Sequence, residues 1–456
     1  MKDYRGKKVA VLGLARSGLA AAELLYKVGA EVYVSDTADT PTLRERAKYL
    51  RKFGIEVELG GHNGRLKDRF DALVLSPGVP TDIPVLLWYK SNRPEMPIIS
   101  EIELAYHFTR GTIVGITGSN GKSTVVSMAG ALFKAAGYET YVVGNIGKAV
   151  CEVVLEASEK SVLCVELSSF QLEMIDTFRP KVACLLNLTP DHLDRHYSTK
   201  GYYDAKARIF ENQTCDDFAI VNTCDDSVMA FAKTIDSKVL SFGGDGESAG
   251  VFVRDGMIVS KSVDGYTTEI IPANGLRLPG AHNLANACAA IACTMPFGIE
   301  PADIARGFAG FEGLPHRLQE VGVLRSVRFI NDSKATNVDS MECALKSFEG
   351  KVVLIAGGYD KGADFKPLRE LVAEKARCVV LIGATAKKIE SDWQGAVPMV
   401  HAASLEEAID KAFLATEPED VVLLAPGCAS YDMFDNFEMR GEIFAELVKK
   451  LVKKKS

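Results

Sequence analysis

Three times along this chain a short apolar run gives way to a glycine-rich turn and then to a segment with helical spacing. That order marks α/β domains built on parallel sheets, because a parallel strand needs a crossover long enough to hold a helix. The first unit opens with KKVAVLG, runs through a helical segment from Leu19 to Val28 and returns as EVYVSD, closing on Asp36. IEVELGG and DALVLSPG follow, and the pattern fades in the proline-rich stretch from Arg93 to Pro97, a candidate domain junction. The second unit begins at TIVGIT and continues through SVLCVEL and KVACLLNL to a helix expected from His282 to Met295. Within it, residues 238–272 alternate in the manner of β-hairpins. The third starts near Gly313 and holds VRFINDS, KVVLIAGG, CVVLIG and DVVLLAPG. The expected fold class is α/β, with three domains over residues 1–100, 101–312 and 313–456, each on a largely parallel sheet.

Length agrees with several domains, since 456 residues exceed what one core holds, roughly 250–300. A composition of 47% hydrophobic and 25% charged residues leaves no room for extensive disorder. The net charge of -7 provides no general pull towards nucleic acid or an anionic membrane, and the basic tail Lys449, Lys450, Lys453, Lys454, Lys455 reads as the solvated end of a helix. The start of the chain has only a strand-length apolar run ending in glycine, so no signal peptide is expected. No stretch reaches the roughly 18 continuous apolar residues of a membrane span. Ten scattered cysteines without a C-x-x-C pair read as free thiols in a reducing compartment, and a cytoplasmic location is expected.

Residues 112–124, TIVGITGSNGKST, set an apolar strand directly before a glycine-rich loop and a helix start. Backbone N–H groups of Gly118, Ser119, Asn120 and Gly121 and the helix N-terminus would face a phosphate chain there. Lys122 would neutralise its end, Ser123 would reach Mg²⁺, and Thr124 would follow in the helix. ATP binding is expected, although the strict G-x-x-x-x-G-K-[ST] spacing is broken by Ile116. Glu166 ends the apolar run SVLCVE, where open α/β sheets place their ligands, so a carboxylate there can hold a cation beside the phosphates. A strand-end acid in solvent is the alternative, disfavoured because a charged residue flush against a buried run is uncommon unless paired. In NLTPDHLDRH, His192 reads equally as a ligand or as a structural hydrogen-bonding group, because Mg²⁺ prefers oxygen. Lys206 has Tyr202, Tyr203, Ile209 and Phe210 at helical spacing, which puts it on an apolar face. It is either a snorkelling lysine or a desolvated amine able to take up CO₂ as a carbamate. GLARSG (13–18) resembles a dinucleotide turn with Ala15 in place of its middle glycine, and reads equally as a helix-packing turn. Asn283 can cap the helix it begins, and Arg317 can be a surface arginine.

TGSNGKST resembles the loop of the Mur ligases and of the related folylpolyglutamate synthases. VELSSFQLE (165–173), FINDSKATN (329–337) and APGCASYDMFDNFEMRG (425–441) resemble the D-glutamate-adding branch of the Mur ligases, and the likeness runs over all three domains. That resemblance implies a Rossmann-like first domain, a P-loop ATPase-like second and a Rossmann-like third. It implies an ATP-driven amide bond: an acyl phosphate forms on the carboxylate of UDP-N-acetylmuramoyl-L-alanine and is attacked by the amine of D-glutamate. It places Leu14, Ala15, Arg16, Ser17, Asp36, Thr37, Ser76, Gly78 and Asn145 at the UDP precursor. Asn283, Arg317 and Asp332 join the phosphate loop at ATP, and Lys334, Thr336, Lys361, Ser430 and Phe437 line the D-glutamate pocket. Ser123, Glu166, His192 and a carbamylated Lys206 are implied as Mg²⁺ ligands. Lys122, Glu166, His192 and Lys206 are the implied catalytic set, and a monomer with no nucleic-acid partner is expected. The readings kept beside this one are another amide ligase of the family, an NAD-dependent dehydrogenase built on the first domain, and a non-catalytic nucleotide-binding protein.

Overall fold

Parallel pairing dominates a computed structural model that describes residues 2–62, 66, 69–244, 246, 248–276, 278, 280–360 and 362–455. The chain forms two compact units, Met1–Leu276 with Ala285–Phe311, and Arg277–Leu284 with Glu312–Ser456. The first unit holds two sheets and the second unit one.

In the five-stranded first sheet Lys8–Leu12 lies between Glu31–Asp36 and Ala72–Leu75, with Glu56–Leu59 and Ile98–Ser100 at the edges, all parallel. Valines and leucines dominate the central strands because both faces are covered, as doubly wound sheets require. The helix after the first strand runs Arg16–Lys27, starting three residues before the expected Leu19. Its Gly18 is obligatory, since a Cβ there would sit 1.8 Å from the Gly13 carbonyl oxygen.

The nine-stranded second sheet places Thr112–Thr117 between Ser161–Glu166 and Val182–Leu185, which aligns Glu166 beside Ile116 at the strand ends. Residues 250–272 form the expected antiparallel hairpins, Gly250–Arg254 with Met257–Lys261 and then Thr267–Pro272. Lys238–Phe242 departs from that expectation and pairs parallel on both sides. Gly243, Gly244 and Gly246, in the segment that follows, take left-handed φ of +77°, +69° and +81°. Alternating sequence alone does not distinguish the two pairings. The helix expected from His282 spans Ala281–Thr294.

The third sheet, of six strands, is parallel except where Gln319–Leu324 lies antiparallel on Val327–Asn331, and Val421–Leu424 sits between Val327–Asn331 and Val352–Ala356. The long helix Phe437–Lys455 covers one face, burying Phe444 and Val448. No helix among the described residues is long and apolar enough to cross a membrane.

One buried acid ties the first unit together. The carboxylate of Glu103, in the short helix Glu101–Tyr106, accepts the backbone N–H groups of Asp176, Thr177 and Phe178 at 2.8–2.9 Å and faces His107 Nε2 at 3.0 Å. Burial alone would raise its pKa, but the hydrogen bonds from His107, Thr177 and the backbone prevail and hold it at about 2, below the ordinary 4.5. A depressed carboxylate contributes stability that is complete above its unfolded value and is lost as pH falls through its folded value, here worth about 3 kcal/mol. Glu103→Gln is expected to lower the thermal midpoint at pH 7, with the gap to the unsubstituted chain closing as pH drops from about 5 towards 2. A gap independent of pH would contradict this account.

Candidate active site

The segment after Thr112–Thr117 becomes a tight loop through two glycines and a clamp. Gly118 has φ +153° and Gly121 φ +84°, and a Cβ would meet Leu186 Cβ at 2.9 Å in the first case and Asn286 Oδ1 at 2.6 Å in the second. Gly121 leads directly into the helix Lys122–Ala135, whose first turn buries Ser123 and Thr124. The loop is gripped by the chain after Val182–Leu185. Ser119 N–H donates to Asn187 O at 3.0 Å, Asn120 N–H donates to Asn187 Oδ1 at 2.8 Å, and Ser119 Oγ donates to Thr189 O at 2.9 Å. Lys122 Nζ lies within the loop, donating to Gly118 O at 2.8 Å and Ser119 O at 2.7 Å. Helix N-terminus and ammonium thus converge, as an anion site requires, whereas the Ser119 and Asn120 amides, expected to face a phosphate chain, are taken by Asn187.

Lys206 lies in the helix Thr199–Ala207, which tightens into a 3₁₀ turn at Arg208–Phe210. Tyr202, Ile209 and Phe210 are buried around it, Tyr203 is half-buried, and Lys206 itself is 1% exposed. Its ammonium donates to Gly118 O at 2.7 Å and stands 4.7 Å from the centre of the Tyr202 ring. Burial first and the neighbouring charge of Lys122 second push its pKa well below the usual lysine value, against the opposing pull of Asp191 and Glu166. The side chain is therefore buried rather than snorkelling to the surface, and it faces the glycine loop.

Glu166 is buried and is held by Asn145, whose side-chain amide donates to Glu166 Oε1 and whose backbone N–H donates to Glu166 O, both at 2.9 Å. Arg16, from the first sheet's turn, donates to the carbonyls of Gly147 at 2.6 Å, Gly144 at 3.2 Å and Asn145 at 3.1 Å. The family resemblance implied Arg16 and Asn145 at the precursor; what the structure shows is Asn145 within, and Arg16 bonded to, the turn that supports Glu166. His192 takes φ +52°, 3.6 Å through Nε2 from Asp191 and edge-on to the Phe170 ring at 4.9 Å. The same segment reaches the first sheet, where Arg195 Nη2 donates to Val79 O at 2.9 Å and Tyr197 Oη donates to Asp82 at 2.5 Å.

Around the first sheet's strand ends, Leu14 N–H donates to Asp36 Oδ2 at 2.7 Å and Ser76 Oγ donates to Gly13 O at 2.8 Å. Leu14, Ser17 and Ser76 are buried, while Ala15, Arg16, Thr37, Gly78 and Asn145 are exposed, so a ligand here meets a firm floor and an open rim.

In the second unit, Asn283 is the third residue of the helix Ala281–Thr294 and is buried, so it is not the cap that the sequence allowed. Arg317, half-buried rather than on the surface, lies beside Asp332, whose carboxyl burial raises to about 6 against the pull of Arg317. Lys334 Nζ stands 4.9 Å over the Phe437 ring, Thr336 follows in the same turn, and Ser430 is buried in the turn after Val421–Leu424. Lys361 lies outside the described residues. Sequence reasoning missed Asn187, Thr189 and Arg440, the last a fully buried arginine inside the quoted FEMRG stretch.

Among the described residues no group of three or more His, Cys, Asp or Glu side chains forms a metal site by itself. The donors at the loop, the Glu166 carboxylate and the buried Ser123 hydroxyl, are hard oxygens, and a cation there needs phosphate oxygens and water to complete its shell. That combination fits Mg²⁺.

Comparison with known proteins extends over the whole chain. Residues 7–96 match the model of a Mur ligase MurD-like N-terminal domain, 116–294 that of the Mur ligase middle domain and 316–428 that of a Mur ligase glutamate ligase domain. The UDP-N-acetylmuramoylalanine–D-glutamate ligase of Koribacter versatilis is 44% identical over 98% of both chains. That of Pelotomaculum thermopropionicum is 43% identical over 99% of this chain and 100% of its own. Among solved structures, the UDP-N-acetylmuramate–alanine ligase MurC of Thermotoga maritima superposes with a TM-score of 0.60 at 19% identity, over 98% of this chain and 100% of that one. MurF ligase of Thermotoga maritima in complex with ADP gives 0.60 at 15% identity, over 100% and 97%. These two likenesses concern the fold.

Proposed function

The chain belongs to the Mur ligase family, and from that premise we propose how its residues divide the work. Its reaction is the ATP-dependent addition of D-glutamate to UDP-N-acetylmuramoylalanine in peptidoglycan precursor synthesis, and end-to-end identity of 44% to a ligase so named carries that conclusion. Residues 1–100 bind the UDP precursor, 101–312 bind ATP and 313–456 bind the amino acid.

In this scheme the precursor's uridine diphosphate rests on Leu14, Ala15, Arg16, Ser17, Asp36 and Thr37, with Ser76, Gly78 and Asn145 along the rim. The loop Gly118–Thr124 holds the ATP phosphates, and Lys122 balances the charge on the phosphoryl group as the precursor carboxylate takes it and ADP leaves. Asn283, Arg317 and Asp332 serve the adenosine part. The acyl phosphate so formed is attacked by the D-glutamate amine; the C–N bond forms, phosphate departs and the amine gives up a proton. Lys334, Thr336, Lys361, Ser430 and Phe437 hold the amino acid, whose two carboxylates call for cationic partners. Ser123, Glu166, His192 and Lys206 as a carbamate are the residues that would hold Mg²⁺. When bound, Mg²⁺ supplies Lewis-acid stabilisation of the transferring phosphoryl charge. The buried Lys206 amine at the mouth of the phosphate loop supports its part in this set.

Phosphate release tests the reading. It is expected only when ATP, the UDP-linked precursor and D-glutamate are all present, and release that continues without the amino acid would point to a plain nucleotidase.

A further inference from the structure

A cation at the start of a helix opposes the helix dipole, and a guanidinium removed from water loses its hydration; Arg440 suffers both. It lies in the first turn of Phe437–Lys455 and is 1% exposed. Among the described residues no carboxylate accepts a hydrogen bond from it, although Asp432 is near enough to attract it through space. Nε donates to Ser333 Oγ at 2.9 Å, and Nη2 donates to Ser333 O at 2.7 Å and Cys428 O at 3.2 Å. Nη1 donates to Cys428 O at 3.2 Å and Ala429 O at 3.4 Å. Ser333 adjoins Lys334, and Ala429 adjoins Ser430, so one planar fork joins the two turns that bear candidate amino-acid ligands. Ser333 Oγ in turn donates to Phe437 O at 2.8 Å, bringing the third ligand-bearing segment into the same knot. Gly358 makes room for it, since a Cβ there would sit 2.3 Å from Ala429 O and 3.4 Å from Arg440 Nη1.

We propose that Arg440 is a positioning residue for the amino-acid substrate, fixing Lys334, Ser430 and Phe437 relative to one another and lending the pocket a positive charge. This rests on the reading of that pocket as the D-glutamate site. With its amine neutral for attack, the substrate is a dianion, and a fixed interior charge favours it without contact. Lysine cannot replace the fork, because an ammonium is a point donor that keeps the charge but loses the planar geometry. The two contributions are therefore separable.

The test is steady-state kinetics on the full chain with each of the three substrates varied in turn, for Arg440→Met, Arg440→Lys and Ser333→Ala. Arg440→Met is expected to raise KM for D-glutamate about ten-fold or more, Arg440→Lys less, and Ser333→Ala about two- to three-fold, while KM for ATP and for the precursor stays within about two-fold. Should Arg440→Met fail to fold, the selective rise in Ser333→Ala and Arg440→Lys is the expected result. Folded variants with an unchanged KM for D-glutamate, or with all three constants rising together, would overturn the proposal. An unsubstituted chain that turns over without D-glutamate would overturn the pocket reading, and the proposal with it.

Discussion

Lys206→Ala is expected to lose activity by at least about a hundred-fold, the scale seen when one charge-stabilising group is removed from an active site, and to regain part of it with millimolar short carboxylic acids. The argument starts from burial. Lys206 is 1% exposed with its Nζ 4.7 Å from the Tyr202 ring centre, where the ammonium is disfavoured, and Lys122 disfavours it further. The neutral amine is the form that reacts with CO₂, so carbamate is expected to fade as pH falls and the amine is protonated. Its oxygens would lie near Gly118, which Lys206 Nζ touches at 2.7 Å. If the modified side chain acts by lending a negative oxygen donor, a small diffusible carboxylate in the space left by alanine performs part of the same task, and rescue depends on its size. A variant of near-normal activity, or crystals at neutral pH with no density beyond Nζ, would remove the carbamate from this account.

Lys122→Ala is expected to be more severe, lowering kcat about a thousand-fold while titration calorimetry shows precursor affinity nearly unchanged. The ammonium lies inside the loop on the Gly118 and Ser119 carbonyls, and the proposed scheme gives its charge to the ATP phosphates and the precursor's nucleotide to the first sheet's turn at Leu14–Ser17. A second effect compounds the first. Removing Lys122 takes away one of the charges that depress the Lys206 pKa, so the amine is harder to keep neutral. Losses from the two lysines should therefore not add, and the double variant should be little worse than Lys122→Ala alone. Equal loss of precursor affinity would show that the sites have been assigned to the wrong domains.

Local features of this protein were legible in its sequence because they depend on neighbours a few residues away. The strand, the two glycines and the helix start at Lys122 follow one another directly, and the burial of Lys206 follows from helical spacing. What Lys206 touches was not legible: Gly118 lies 88 positions away, and the helix ends at Ala207 in a tighter turn that no propensity announces. Asn145 on Glu166 and Asn187 on the loop are likewise products of strand order, which sets the ends of Ser161–Glu166 and Val182–Leu185 on either side of Thr112–Thr117. Arg440 escaped for a different reason. A charged residue in a helix's first turn reads as surface, and only the meeting of the Ser333 and Cys428 turns reveals that it is interior. Asn283, a residue type suited to capping, is used by the fold within the first helical turn, so the alternative of a cap falls away.

The most direct test of the central claim is the product itself. The purified chain, incubated with ATP, Mg²⁺, UDP-N-acetylmuramoyl-L-alanine and D-glutamate, should convert the precursor to a species heavier by one glutamyl residue, with ADP formed mole for mole and no such species from L-glutamate. ATP consumed without a glutamyl adduct, or an adduct formed equally from L-glutamate, would contradict it.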